Sequence, residues 1–166
     1  MTTEESLWDF AVRVYGRPGV EAACVELQDS YNADVLVLIY GLWAGTRGKR
    51  LSRGDFAAIM SSVAPWQRHT ISPLRAVRRA LKESADFSNG FEVAARSVGR
   101  RVKDLELDAE RCELEFLETL GYGEATEKGG ATTESNLAIY LSSLDISPHQ
   151  FGLQQRSLLV AAADRV

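Results

Sequence analysis

Histidine and cysteine carry much of the nucleophilic and metal chemistry of proteins, and this chain has two of each: His69 and His149, Cys24 and Cys112. Neither histidine sits in an HExxH pattern or has a ligand of the right type four residues on, and no CxxC occurs. Structural zinc sites draw on clustered ligands, so no metal is expected. Both cysteines fall on apolar helical faces and are read as free, buried thiols of a reducing compartment. The series Gly41, Gly45, Gly48, Lys49 invites comparison with a phosphate-binding loop. It fails on spacing, because GxxxxGK[ST] would need Gly where Trp43 stands and Ser or Thr where Arg50 stands. Helix-packing glycines and a C-cap account for it better. No GxSxG elbow, dinucleotide fingerprint or EF-hand loop is present. Among the carboxylates, only Asp34 and Asp55 adjoin strongly apolar stretches, and both lie where a helix would start, which suits a cap. No catalytic set and no cofactor site result.

The best surface candidate is a basic stripe. Arg68, Arg75, Arg78, Arg79 and Lys82 recur opposite Trp66, Thr70, Leu74, Val77, Leu81 and Ala85, whose three- and four-residue steps describe one amphipathic helix. Guanidinium groups along a helix face could hold phosphate, nucleic acid or an acidic partner segment. The acidic second half of a later helix offers an internal counterpart, and charged faces are usually solvated or paired. With 19 basic against 23 acidic residues and a net charge of -4, the composition argues against general affinity for nucleic acid or anionic membranes. Trp8, Trp43 and Trp66 read as core anchors. A cleft beside Trp66 and Arg75 that takes a small anionic ligand is the first alternative, and nucleic-acid binding through the arginine-rich helix the second.

These residues need a scaffold, and the least polar stretch, Ala33 to Ala44, is its expected centre. Val35 to Tyr40 suits a buried parallel strand or a buried helix, but no other segment offers a partner strand. A helix apolar all round is predicted, with Asn32 as N-cap and Asp34 in its first turn. At about twelve residues, bounded by Asp34 and Arg47, it is too short to span a membrane, which takes about 20. Around it, Ser6 with Asp9 and Ser52 with Asp55 resemble capping boxes, and Pro18 suits N1 of a second helix that buries Val20, Ala23, Cys24 and Leu27. Thr46 to Leu51 reads as a basic loop. Pro65 closes or restarts the chain, and Pro73 predicts a kink.

The longest pattern runs over about 91 to 120, where Val98, Val102, Leu105, Ala109, Cys112 and Phe116 alternate steps of four and three, as a buried coiled-coil seam would. Its charges run against the helix dipole. Arg96, Arg100, Arg101 and Lys103 precede Glu106, Asp108, Glu110, Glu113, Glu115 and Glu118, so the acidic end calls for partners. Gly121 to Thr133, with Gly129-Gly130, reads as a mobile connection, and two more helices follow over Thr133 to Leu144 and Pro148 to Ala163, the latter started by Ser147 and Gln150. The expectation is one all-α domain of about seven helices around residues 33 to 44: a helical core over 1–120, a flexible connection over 121–133, and two C-terminal helices over 134–166 that pack on the same domain. The acidic opening Met1 to Ser6 lacks a secretory pattern, so the cytoplasm is expected.

The succession Leu7-Trp8-Asp9-Phe10, Tyr15-Gly16, Pro18-Gly19-Val20, Ala23-Cys24, Leu27-Gln28, Ala33-Asp34-Val35 and Trp43, extended by Trp66, Pro73-Leu74-Arg75 and Arg78-Arg79, resembles an uncharacterised proteobacterial family of small helical proteins. The resemblance implies an all-helical bacterial cytoplasmic protein and supplies no catalytic residue. With reactive machinery wanting and amphipathic helices of segregated charge present, the expected function is non-enzymatic, through a protein partner or a homo-oligomer.

Overall fold

The structure, a computed structural model, describes residues 5–83, 87, 90–126 and 130–164. Its helices are α1 (Leu7–Tyr15), α2 (Val20–Tyr31), α3 (Val35–Thr46), α4 (Arg53–Trp66), α5 (Ser72–Glu83), α6 (Glu92–Glu118), α7 (Gly130–Ser143) and α8 (Leu153–Ala163). A π-helical turn, Gln67–Ile71, joins α4 to α5 without a break, so the described residues form seven continuous helical segments. The fold is all-α. Two-residue strands β1 (Lys49–Arg50) and β2 (Glu124–Ala125) pair antiparallel, Lys49 with Ala125 and Arg50 with Glu124. The chain divides into one unit drawn from Met1–Met60 and Leu114–Val166 and another from Ser61–Glu113.

The first unit is organised by α3, of which every residue but Trp43 and Thr46 is buried. Its β-branched run forms a helix because its lateral neighbours are helices, chiefly α7. The N-terminus differs from expectation by two residues. Asn32 closes α2 in the left-handed conformation, φ 52°, where its N–H reaches the carbonyls of Leu27 and Gln28. Asp34 is the N-cap of α3 instead, its Oδ1 accepting from the N–H groups of Leu36 (3.0 Å) and Val37 (3.2 Å). Likewise α2 starts from Gly19 at φ 84°, so Pro18 lies in the preceding turn and not at N1.

The approach of α7 to α3 depends on glycine. A Cβ on Gly45 would stand 2.5 Å from Thr133 Cα of α7, while one on Gly41 would stand 2.9 Å from the Phe56 ring of α4. Into this contact α7 inserts Asn136, fully buried. Its Nδ2 donates to the carbonyls of Gly41 and Lys49, both at 2.9 Å, and its Oδ1 accepts from Leu51 N–H at 2.9 Å. One amide thus joins α3, the β1 segment and α7, with both Nδ2 donors and one lone pair of Oδ1 used. Tyr140 adds a hydrogen bond from its hydroxyl to the Asp34 carbonyl, 2.6 Å. The Arg13 guanidinium, paired with Glu5 at 2.9 Å, donates to the carbonyls of Ala162 and Ala163 at the end of α8.

Several local expectations change. Part of the loop expected over Thr46 to Leu51 is β1, and its partner β2 lies within residues 121–133, where Gly123 takes φ 99° against Arg50. Helix α7 begins at Gly130; Gly129 lies outside the described residues. Gln150 does cap Ser147 N–H, at 2.9 Å, but this closes a turn, and α8 starts only at Leu153. Pro65 neither ends nor restarts α4 and is carried inside it.

In the second unit, the disturbance expected at Pro73 takes the form of the π turn. Ser72 N–H reaches back five residues to the Gln67 carbonyl, and the wider turn precedes the residue that has no N–H to donate. The expected helical position Ala85 lies outside the described residues, as do Ser88 and Asn89, which read as part of a loop ahead of the longest pattern. Helices α5 and α6 run antiparallel, since Gln67 meets Glu113, Arg75 meets Glu106, and Leu81 lies against Gly99. The inner face of α6 is Ala95, Gly99, Val102, Glu106, Ala109 and Glu113. This corrects the coiled-coil reading, in which Val98, Leu105, Cys112 and Phe116 were buried; all four are exposed. The buried face turned away from them because Arg75, Arg78 and Gln67 of the facing segment demand carboxylates.

Candidate functional site

The carboxylates of α6 take up the centre of the basic stripe. Arg75 donates through Nε to Glu106 Oε1 (2.9 Å) and through a terminal nitrogen to Glu110 Oε1 (3.0 Å). Arg78, one turn on, closes on the same Glu106 carboxylate through Nε and a terminal nitrogen. Two guanidinium groups three residues apart therefore share one acceptor that is only 5 % exposed. A turn and more away, Gln67 Nε2 donates to both oxygens of Glu113, at 3.1 and 2.9 Å. Trp66, expected as a core anchor, is instead 41 % exposed and donates from its indole to the Ala109 carbonyl, 3.0 Å. Arg68 and Lys82 face solvent, and Arg79 is half-buried.

The environments split the two glutamates. Burial pushes the Glu106 carboxyl upward, but the hydrogen bonds and charges of Arg78 and Arg75 outweigh it, leaving Glu106 below the usual carboxylate range. Glu110 goes the other way: burial, with repulsion from Glu106, raises it despite Arg75. The guanidinium of Arg78 is held charged by its bond to Glu106. Such a network fixes the angular setting of α5 against α6 and leaves Arg75 and Arg78 engaged. No group of three or more metal-ligating side chains occurs among the described residues.

Other side chains singled out in the sequence are scattered. His69 is exposed on the π turn, and His149 is exposed in the turn before α8. Cys24 is buried, and burial pushes its thiol up to about 11. Cys112 is a free, exposed thiol, contrary to the expectation that both were buried, because it stands on the outer face of α6. Trp43 stacks under Arg47, the guanidinium carbon 3.8 Å from the ring centroid, with its indole nitrogen buried. The inward-facing Glu106 and Glu113 were missed by hydrophobic periodicity, which treats a carboxylate as a solvent marker. Their seven-residue spacing, with the i, i+3 pair Arg75 and Arg78 on another amphipathic helix, is the signal that could have found them.

What remains unexplained is the outer face of α6. Val98 is 44 % and Leu105 55 % exposed, and Ala94 and Cys112, on the same side of the helix, are exposed as well. A single exposed aliphatic side chain is ordinary; several on one helix whose inner face is occupied by ions mark a surface with a use.

Fold and site thus define an all-helical protein whose salient feature is a helix, α6, that buries Glu106 and Glu113 while leaving Val98 and Leu105 exposed. The chain belongs to the family described as protein of unknown function (DUF2390), whose model matches residues 6–117. No curated protein and no solved structure matches it.

Proposed function

We propose that this protein is a non-enzymatic helical module that acts by binding protein, either itself or another chain, in the cytoplasm of a bacterium. The observation that carries this reading is the exposed apolar side of α6, Val98 and Leu105 foremost, on a helix whose buried positions include Glu106 and Glu113. Contact with another protein surface would cover those side chains. The engagement of Arg75 and Arg78 by Glu106 supports this reading over an anion cleft beside Trp66, since a phosphate would have to displace a buried, doubly hydrogen-bonded carboxylate. A free, exposed Cys112 suits a reducing compartment, and no helix of the described residues is long and apolar enough to cross a membrane. Size-exclusion chromatography with light scattering, followed by capture on the immobilised chain, tests the reading. Association with itself or with a stoichiometric partner is expected; a strict monomer that retains no protein overturns it.

A further inference from the structure

We infer that the partner is a second copy of this chain, docked antiparallel along the outer face of α6 about Leu105. The inference rests on the protein-binding reading above and narrows it to one surface and one occupant. At about 100° per residue, Ala94, Val98, Leu105 and Cys112 fall within roughly 20° of one line along the helix. All four are exposed. They are symmetric about Leu105: Val98 and Cys112 stand seven residues to either side, so in an antiparallel pair each Val98 meets the other copy's Cys112 while Leu105 meets its own equivalent at the two-fold axis.

Charge selects the direction. Along α6 the exposed basic residues Arg96, Arg100, Arg101 and Lys103 come before the exposed acidic residues Asp104, Asp108 and Glu115, with Arg111 as an exception among the latter. A parallel pair would set basic against basic and acidic against acidic; an antiparallel pair sets each half against its opposite. The residues nearest the seam obey the same rule. Arg101 and Asp108 lie on the same flank of the apolar line and are both exposed. Under a two-fold axis at Leu105 the same flanks meet, bringing Arg101 of one copy to Asp108 of the other, twice per dimer. The polarity that opposes the helix dipole within one chain thus becomes complementary between two. A seam of about five turns is small for a stable interface, so the dimer is reversible.

Sedimentation velocity over a concentration series tests this on the full chain. A monomer–dimer equilibrium is expected. Leu105→Asp, at a side chain exposed in the monomer, abolishes the dimer without altering the circular dichroism melt. Arg101→Glu weakens dimerisation about ten-fold by breaking two pairs and juxtaposing like charges, and adding Asp108→Arg restores it to within about two-fold. Mild oxidation reads the direction. Leu105→Cys in a Cys112→Ser background and Val98→Cys with native Cys112 both cross-link. The wild type does not, because the two Cys112 residues stand about 21 Å apart, beyond the roughly 7 Å a disulfide spans. Ready cross-linking of wild-type Cys112 to its own copy would show a parallel pair and overturn the inference. A dimer indifferent to Leu105→Asp overturns the seam but leaves self-association standing. A monomer that binds a different protein overturns the inference alone, and a monomer that binds none overturns it together with the reading beneath it.

Discussion

Replacing Asn136 by alanine probes the joint on which the first unit depends. The amide is fully buried and makes three hydrogen bonds, to Leu51 N–H and to the carbonyls of Gly41 and Lys49. Each bond contributes about 1 kcal/mol net, and a buried group left without a partner costs about 1–3 kcal/mol. Gly41 lies inside α3, so its carbonyl has a helical acceptor role to fall back on. Leu51 N–H, in a fully buried residue, has no such recourse. Adding a small cavity, the expected loss is about 3–5 kcal/mol. For a chain of this size that lowers Tm by about 6–20 °C. Urea unfolding followed by circular dichroism measures it, with an unchanged slope showing that the denatured state is the same. Asn136→Asp separates shape from bonding. It keeps the acceptor for Leu51 but turns a second oxygen toward two carbonyls, so it should be nearly as destabilised at neutral pH and recover partly as acid protonates it. A loss below about 1 kcal/mol for the alanine variant would refute the view that this amide locks α3, β1 and α7 together.

Gly45→Ala should cost about 1–3 kcal/mol or more, since the methyl would stand 2.5 Å from Thr133 Cα, a backbone atom that cannot swing aside; differential scanning calorimetry reads the drop. Glu106→Gln and Glu110→Gln should differ in sign. Glu106, held low, contributes stability above its unfolded pKa that is lost as pH falls through its folded value, and its glutamine variant should flatten the acid limb of the stability curve below about pH 4.5. Glu110, held high, opposes folding once ionised, so its amide should be neutral or stabilising at pH 7, as thermal melts at pH 3 to 7 would show. A thiol reagent at neutral pH should label Cys112 at once and Cys24 only on unfolding, the latter being buried with its thiol raised to about 11; mass spectrometry counts the adducts.

Where the chain obeys a simple periodicity, it could be read directly. The buried set of α1, Leu7, Phe10, Ala11 and Val14, and that of α2, Val20, Ala23, Cys24 and Leu27, follow from three- and four-residue spacing alone. The capping box at Ser52–Asp55 forms as read, and at Ser6–Asp9 the Ser6 hydroxyl accepts from Asp9 N–H and donates to the Asp9 carboxylate. The central helix emerged by elimination of a partner strand, and Gly41 and Gly45 proved to be contacts for other elements. What resisted reading involved choices between near-equal local options. Either Asn32 or Asp34 could cap a helix, and the decision turned on which one closed α2. The pairing of β1 with β2 joins segments more than seventy residues apart, which no local pattern encodes. In α6 two stripes compete, one apolar and one bearing glutamates, and burial went to the glutamates because Arg75 and Arg78 face them. Of the candidate stripe, Arg75 and Arg78 were brought together and Arg68 and Lys82 left in solvent, a distinction that helical spacing on α5 alone does not make.

The π turn before Pro73 also acts as a phase adjuster. A helix that widens for one turn holds one residue more than an uninterrupted α-helix of the same rise, which rotates everything downstream by about 100°. The azimuth at which Arg75 and Arg78 leave the helix axis is therefore set by that surplus residue between Trp66 and Ser72. Removing one residue there would swing both guanidiniums away from Glu106 while leaving every side chain of the cluster intact. An indel of a single codon at this point is consequently harsher than most point substitutions, and chains that keep the arginines should keep the count of residues ahead of them.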